Sequence, residues 1–270
     1  MKKEIKILTL GYLAFLALLL VTGYFEGVIH TILYILAFLI PFLIVVFLSG
    51  NPKSIVNVNQ LRLGVGRIAT VTAVTFPTLL IISGVSYVTA LLLFLMTGKS
   101  AAVDIGNNIP TALLLHALLP AALEEALFRY LPLRLLGDKA PRTAVIFSAF
   151  CFALVHHSFF SIPYAFVAGV IFMAVDILTD SVLPSFIMHF LNNAISVILT
   201  ISFTAEEYTP YLFISLGALT ALSFVYFAVK RKALISEIKD AFSVKESPEF
   251  SYEPILLAVP TLFMAMAELL

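Results

Sequence analysis

Eight apolar runs, each near or above the length that crosses a lipid bilayer, constrain the fold of this chain more than any other feature. A helix needs about 17–25 apolar residues to span the hydrocarbon core, and its backbone hydrogen bonds are satisfied internally. The runs lie at about residues 7–25, 29–48, 67–96, 109–136, 142–158, 162–178, 182–204 and 209–230. The sequence therefore predicts an all-α polytopic membrane bundle of about eight transmembrane helices.

The composition excludes a soluble domain. Hydrophobic residues make up 61% of the 270 positions, against roughly 45–50% in soluble proteins. The formal net charge is zero and no nucleic-acid-binding motif occurs, so membrane lipids rather than nucleic acids are the expected partners. A single cysteine, Cys151, excludes an internal disulfide.

The basic residues predict how the chain is oriented. With the N-terminus in the cytoplasm, 14 of the 16 Lys and Arg residues fall in cytoplasmic segments, Lys99 falls outside and Arg129 lies within a span. This bias predicts a multi-pass protein of the cell membrane. We expect one polytopic domain over residues 1–270, with a cytoplasmic and C-terminal tail at 231–270. Whether the apolar run 255–270 crosses the membrane stays open.

Polar and ionisable side chains inside the apolar runs are the candidates for function. A charged residue at the centre of a span costs about 2.5–3.5 kcal/mol, so it is retained where it is paired, hydrated or functional. The candidates are Glu124, Glu125 and Arg129 in the fourth run, His156 in the fifth, and His189 and Asn193 in the seventh.

Helix geometry separates the two adjacent glutamates. Glu125 and Arg129 are i,i+4 neighbours on one face, so we expect them to pair. Glu124 is rotated about 100° from Glu125 and is left to act on another group. Alternatively, both glutamates are purely structural and bond to Arg129 or to neighbouring helices. His189 and Asn193 are also i,i+4, so an imidazole and a carboxamide can address the same point.

A carboxylate, two imidazoles and an amide on three spans are suited to two kinds of chemistry. They can activate a water molecule and hold an oxyanion. They can also ligate a divalent metal that keeps one coordination position open. The H-E-x-x-H and G-x-S-x-G motifs are absent from the sequence, so the zincin and serine-hydrolase arrangements are not supported.

Three motifs resemble those of a known family when they are taken in order. E-E-x-x-x-R occurs at residues 124–129, F-x-x-x-H at 152–156 and H-x-x-x-N at 189–193. Their order and their placement on three spans resemble the CAAX protease and bacteriocin-processing family of intramembrane endopeptidases, which includes the type II CAAX prenyl endopeptidases. The matching core covers about residues 109–204.

The resemblance implies an eight-helix fold with a central conical catalytic cavity, and it implies a role for each candidate residue. Glu124 and His156 would activate the attacking water. His189 and Asn193 would hold the oxyanion, and Glu125 and Arg129 would form a supporting pair. The expected substrate is a membrane-anchored peptide, or a prenylated CAAX protein, cleaved near its C-terminus.

The resemblance leaves the catalytic type open between a glutamate-activated and a metal-activated water. If a divalent metal such as zinc is bound, Glu124, His156 and His189 would hold it. Two other functions also fit these residues: a proton- or cation-coupled transporter, and a non-catalytic membrane scaffold. The sequence contains no inverted repeat and no matching pair of broken helices, which disfavours the transporter.

Overall fold

The computed structural model describes residues 2–56, 58–98, 108–156, 158, 161–202 and 209–244, and their regular structure is entirely helical. The apolar run 255–270 lies outside the described residues. Within the described part, eight long helices occupy the predicted positions: α1 (Lys2–Thr22), α2 (Gly27–Leu48), α3 (Val65–Thr97), α4 (Ile109–Gly137), α5 (Pro141–Val155), α6 (Ile162–Thr179), α7 (Leu183–Ser202) and α8 (Thr209–Ala241). Seven of these are long and apolar enough to cross a membrane, which confirms the polytopic helical bundle.

Helix α5 is the one that is too short. The apolar run predicted a helix to about residue 158, but the helix has 15 residues and ends at Val155, with His156 as its C-cap. At 1.5 Å per residue it is about 22 Å long, less than the roughly 30 Å hydrocarbon core. Because most of its side chains are buried against other helices, α5 does not need the length of a lipid-facing span.

A cluster of aromatic rings from three helices surrounds the buried Phe128 of α4. Its ring centroid lies 5.6 Å from that of Phe15 on α1, 6.3 Å from Phe38 on α2 and 6.0 Å from Phe152 on α5. Helices α3 and α8, in contrast, have only 22% and 11% of their most apolar segments buried. The central helices therefore carry the protein core, and α3 and α8 are the peripheral pair.

A glycine brings α5 and α6 into close contact. A Cβ atom added to Gly169 of α6 would lie 2.7 Å from the Cα atom of Ala149 on α5. No larger side chain fits at this point without moving one backbone. Small residues of this kind allow helices to approach closely in membranes. Here the close contact between α5 and α6 lies about one turn before Phe152.

Helix α4 is not a uniform α-helix, because it contains π-helical turns at Leu114–Leu118, Ala126–Tyr130 and Leu133–Gly137. Two prolines explain the first two. Pro120 and Pro132 lack an N–H group and would crowd the carbonyl four residues earlier in a regular helix, and each lies two positions after the last residue of a widened turn. Such π turns are frequent at functional sites, and the second begins immediately after Glu125.

Side chains from neighbouring helices satisfy the backbone of this second π turn. Pro132 removes the regular donor to the carbonyl of Phe128, and Ser148 of α5 donates its hydroxyl to that oxygen. The hydroxyl of Tyr12 on α1 donates to the carbonyl of Leu127 at 3.2 Å. Since an unpaired carbonyl is costly in a membrane interior, these two bonds fix the distorted turn in place.

The segments predicted to be cytoplasmic meet at one end of the bundle. The contacts that join them include Lys139 Nζ with Glu4 Oε1 at 2.8 Å, the amide of Val182 with the carbonyl of Gln60 at 2.9 Å, and the ion pair of Arg67 with Glu237. This grouping agrees with a chain that alternates in direction from helix to helix. The side of the membrane on which this end lies remains a prediction.

Candidate active site

Glu125 is the most tightly held of the predicted polar residues. Its side chain is 1% exposed, and its Oε2 lies 3.5 Å from Nε of Arg129, so the expected i,i+4 pair is present. Its other oxygen, Oε1, lies 2.7 Å from Nδ1 of His189 on α7. The sequence assigned Glu125 only one partner, and the contact with His189 is an additional link between α4 and α7.

The guanidinium group of Arg129 is enclosed by aromatic rings. The residue is fully buried, and its Cζ atom lies 4.0 Å from the ring centroid of Phe152 and 5.7 Å from that of Phe172. Cation–π contacts of this kind strengthen when water is excluded. Together with the carboxylate of Glu125 they offset part of the cost of burying the charge.

Glu124 is also buried, at 8% exposure, but its contacts are longer than those of Glu125. The hydroxyl of Tyr34 on α2 donates a hydrogen bond to Glu124 Oε1 at 3.4 Å. The second oxygen, Oε2, lies 3.9 Å from Nε2 of His189, which is beyond hydrogen-bonding distance. Thus both glutamates face His189 on α7, but only Glu125 is directly bonded to it, and only Glu124 is bonded to α2 through Tyr34.

His189 lies between the two carboxylates. Because Nδ1 contacts the carboxylate of Glu125 at 2.7 Å, that nitrogen carries a proton, and the ring is held with Nε2 towards Glu124. A carboxylate behind a histidine commonly fixes the orientation of the imidazole in this way. The ring of His189 also lies 5.6 Å from Phe152 and 5.8 Å from Phe172.

His156 lies at the end of α5, beside the same phenylalanine. Its Nδ1 is 3.0 Å from the carbonyl of Phe152, so that nitrogen donates to the carbonyl oxygen. The imidazole packs on the rings of Phe152, at 4.9 Å, and Tyr164, at 5.8 Å. Since Phe152 also contacts His189, one ring separates the two predicted histidines.

Asn193 follows His189 by four residues on α7 and is half-buried. Its Oδ1 accepts a hydrogen bond from Nδ2 of Asn192 at 3.3 Å. This bond uses the carbonyl of the carboxamide and does not engage the N–H groups of Asn193. A group with free donors next to His189 is what the predicted oxyanion role requires.

Sequence reasoning missed two polar residues of this region, Tyr34 and Asp176. Nothing in the sequence indicated a functional role for Tyr34, because a tyrosine within an apolar run is not distinguished from the other tyrosines of the chain. Asp176 on α6 did carry one, since it is a carboxylate within the sixth apolar run. It is fully buried, and its Oδ1 accepts a hydrogen bond at 3.1 Å from the amide of Ser185 in the first turn of α7.

The predicted metal ligands do not form a metal centre in the described part of the chain. No group of three or more His, Cys, Asp or Glu side chains is arranged there to hold a metal ion. The set of Glu124, His156 and His189 therefore does not fit a bound zinc ion in this arrangement.

A small apolar cavity lies beside the second π turn rather than at the glutamates. It is lined by Tyr12, Phe15, Leu16, Phe128, Cys151, Leu154 and Val155. None of the predicted catalytic residues belongs to this lining. The central conical cavity implied by the resemblance thus stays a prediction.

Comparison with known proteins agrees with the motifs. A family model described as type II CAAX prenyl endopeptidase Rce1-like matches residues 106–195. This segment extends from the start of α4 into α7 and contains all three motifs, whereas Tyr34 lies outside it. No curated protein and no solved structure matches the chain significantly.

Proposed function

We propose that this chain, whose residues 106–195 match a family model described as type II CAAX prenyl endopeptidase Rce1-like, is a membrane endopeptidase in which Glu124 activates a water molecule. The observation that carries the proposal is the unequal pairing of the two glutamates. Glu125 is bonded to His189 and paired with Arg129. In both glutamates Oε2 makes no hydrogen bond within the described residues, but Oε2 of Glu125 is ion-paired with Arg129 at 3.5 Å, whereas Oε2 of Glu124 lies 3.9 Å from Nε2 of His189.

The proposed reaction begins with proton transfer from water to Oε2 of Glu124. The resulting hydroxide attacks the carbonyl carbon of the scissile peptide bond and forms a tetrahedral oxyanion. Nε2 of His156, as an acceptor, helps to orient the water. When the bond between carbon and nitrogen breaks, Glu124 returns its proton to the leaving amine, so the carboxylate is regenerated.

His189 and Asn193 are proposed to stabilise the oxyanion. With both ring nitrogens protonated, His189 would donate through Nδ1 to Glu125 and through Nε2 to the oxyanion. The Nδ2 group of Asn193 would supply the second donor. Donors held in place before the reaction stabilise developing charge without reorganisation, and the pairing of Glu125 with Arg129 keeps His189 in position.

We further propose that the substrate is anchored in the membrane close to its C-terminus, as in a prenylated CAAX protein. The family relationship supports this substrate class. The basic residues support a cell-membrane protein with a cytoplasmic N-terminus. In that orientation a lipid-modified cytoplasmic tail would meet the enzyme at the end of the bundle where Lys139 contacts Glu4.

The decisive experiment uses the full chain, purified and reconstituted in liposomes. Prenylated and unprenylated C-terminal CAAX peptides are incubated with it, with and without a chelator, and products are identified by mass spectrometry. We expect release of the C-terminal tripeptide from the prenylated peptide, with no effect of the chelator. Absence of cleavage, together with ion flux through the liposomes, would favour a transporter instead.

A further inference from the structure

The hydroxyl of Tyr34 makes a hydrogen bond to the proposed catalytic base from a helix outside the segment that matches the family. Its donation to Oε1 of Glu124 links α2 to α4 across 90 positions of sequence. We infer that Tyr34 is a positioning residue that determines which oxygen of Glu124 accepts the proton from water. This inference rests on the proposed function.

Two oxygens of one carboxylate are chemically equivalent until their surroundings differ. At Glu124 they do differ, because Oε1 is engaged by Tyr34 while Oε2 faces Nε2 of His189 at 3.9 Å. A hydrogen bond to Oε1 limits rotation of the carboxylate about its terminal bond. It thereby keeps Oε2, the oxygen without a hydrogen bond, on the side of His189.

The position of the Tyr34 hydroxyl is itself fixed by aromatic packing. The ring of Tyr34 meets Phe38 edge-on at 5.1 Å. Phe38 is in turn held by Phe15 on α1, at 4.5 Å, and by Phe128 on α4, at 6.3 Å. Because Phe128 lies in the π turn that follows the two glutamates, the packing that orients Tyr34 is continuous with the turn that orients Glu124.

The second neighbour of Tyr34 does not compete for this role. His30 lies one turn earlier on α2, is exposed, and stacks on Tyr34 with a centroid distance of 6.3 Å. This contact supports one face of the ring but leaves the hydroxyl directed at Glu124. The ring of Tyr34 is thus in contact with Phe38 and His30, and its hydroxyl is hydrogen-bonded to the proposed base.

The test is Tyr34→Phe in the full chain, which removes the hydroxyl and keeps the ring. Because this hydrogen bond reaches a charged group but is long, at 3.4 Å, we expect kcat to fall about 10-fold, the lower end of what such bonds contribute. We expect KM and the melting temperature to stay unchanged, since phenylalanine fills the same apolar space. The matched control is Tyr226→Phe, which removes a hydroxyl bonded at 2.8 Å to Thr70 on the peripheral helices and should leave kcat unchanged.

The outcomes separate this inference from the function on which it rests. Wild-type protein that cleaves no peptide would contradict the proposed function. An active wild type with an equally active Tyr34→Phe variant would overturn the role of Tyr34 alone. An equal loss of kcat in Tyr226→Phe, or a fall in melting temperature that parallels the fall in kcat, would show that the hydroxyl acts through stability and would also overturn it.

Discussion

The two faces of α4 that carry Glu124 and Glu125 differ in how firmly each carboxylate is held. On one face, Glu125 is 1% exposed and contacts Arg129 and His189 at 3.5 and 2.7 Å. On the other face, Glu124 has a hydrogen bond from Tyr34 at 3.4 Å and a distant neighbour in His189. Adjacent identical residues can therefore have different functions, because a rotation of about 100° per residue gives each carboxylate its own set of neighbours.

The largest effect is expected on the Glu124 face. Glu124→Gln keeps the shape of the side chain and its acceptor for Tyr34, but the neutral amide cannot take a proton from water. We expect cleavage of the prenylated peptide to be abolished while the melting temperature in detergent stays close to that of the wild type. Full activity in this variant would show that Glu124 is not the base.

The second largest effect is expected on the Glu125 face, where the predicted change is a loss of protein stability. Arg129→Met removes a fully buried guanidinium and leaves Glu125 with a buried charge, which typically costs about 3–5 kcal/mol. Thermal or denaturant unfolding in detergent measures the loss. Combining it with Glu125→Gln should restore much of the stability, because neither charge is then left unpaired; a double variant as unstable as Arg129→Met would contradict the pairing.

The third prediction concerns α7, the helix that carries both proposed oxyanion donors. Asn193→Ala removes one proposed oxyanion donor, and loss of such a donor costs about 10²–10³ in kcat. The neighbouring Asn192→Ala serves as the control, since among the described residues Asn192 donates to Asn193 and has no proposed contact with the oxyanion. A comparable loss in both variants would mean that the asparagine pair supports the helix rather than the reaction.

The smallest effect is expected at the backbone of the π turn that follows the two glutamates. Ser148→Ala leaves the carbonyl of Phe128 without its hydroxyl donor, and an unsatisfied buried group costs about 1–3 kcal/mol. We expect a modest fall in melting temperature with KM unchanged. Ser223→Ala on α8 is a suitable control, because its hydroxyl bonds a carbonyl of its own helix at 2.8 Å; an equal shift in both variants would argue against a special role for the π turn.

Sequence reasoning located the helices and one of the contacts well, for physical reasons. Apolar runs must be helical in a membrane, so their positions predict the bundle directly. The pair of Glu125 with Arg129 follows from local helix geometry. Contacts between distant helices do not follow from any periodicity, and the contacts of Glu125 with His189 and of Glu124 with Tyr34 join residues 64 and 90 positions apart.

Two features could have been read from the sequence and were not. Asp176 satisfies the same criterion as the other candidates, an ionisable residue in an apolar run. Pro120 and Pro132 predict that α4 departs from regular α-helical geometry. Each proline lacks the N–H donor and crowds the carbonyl four residues earlier, which explains the widened turn before it. The shortness of α5, in contrast, depends on burial by neighbours, which the apolar pattern does not reveal.

The π turn at Ala126–Tyr130 has a consequence for protein engineering. It adds a fraction of a residue to one turn, so the residues before it and after it are out of phase with an ideal helix. Grafting Glu124, Glu125 and Arg129 onto a straight helix would keep their spacing in sequence and change the angle between them. The motif is portable only together with Pro132 and the hydroxyls of Tyr12 and Ser148 that hold the widened turn.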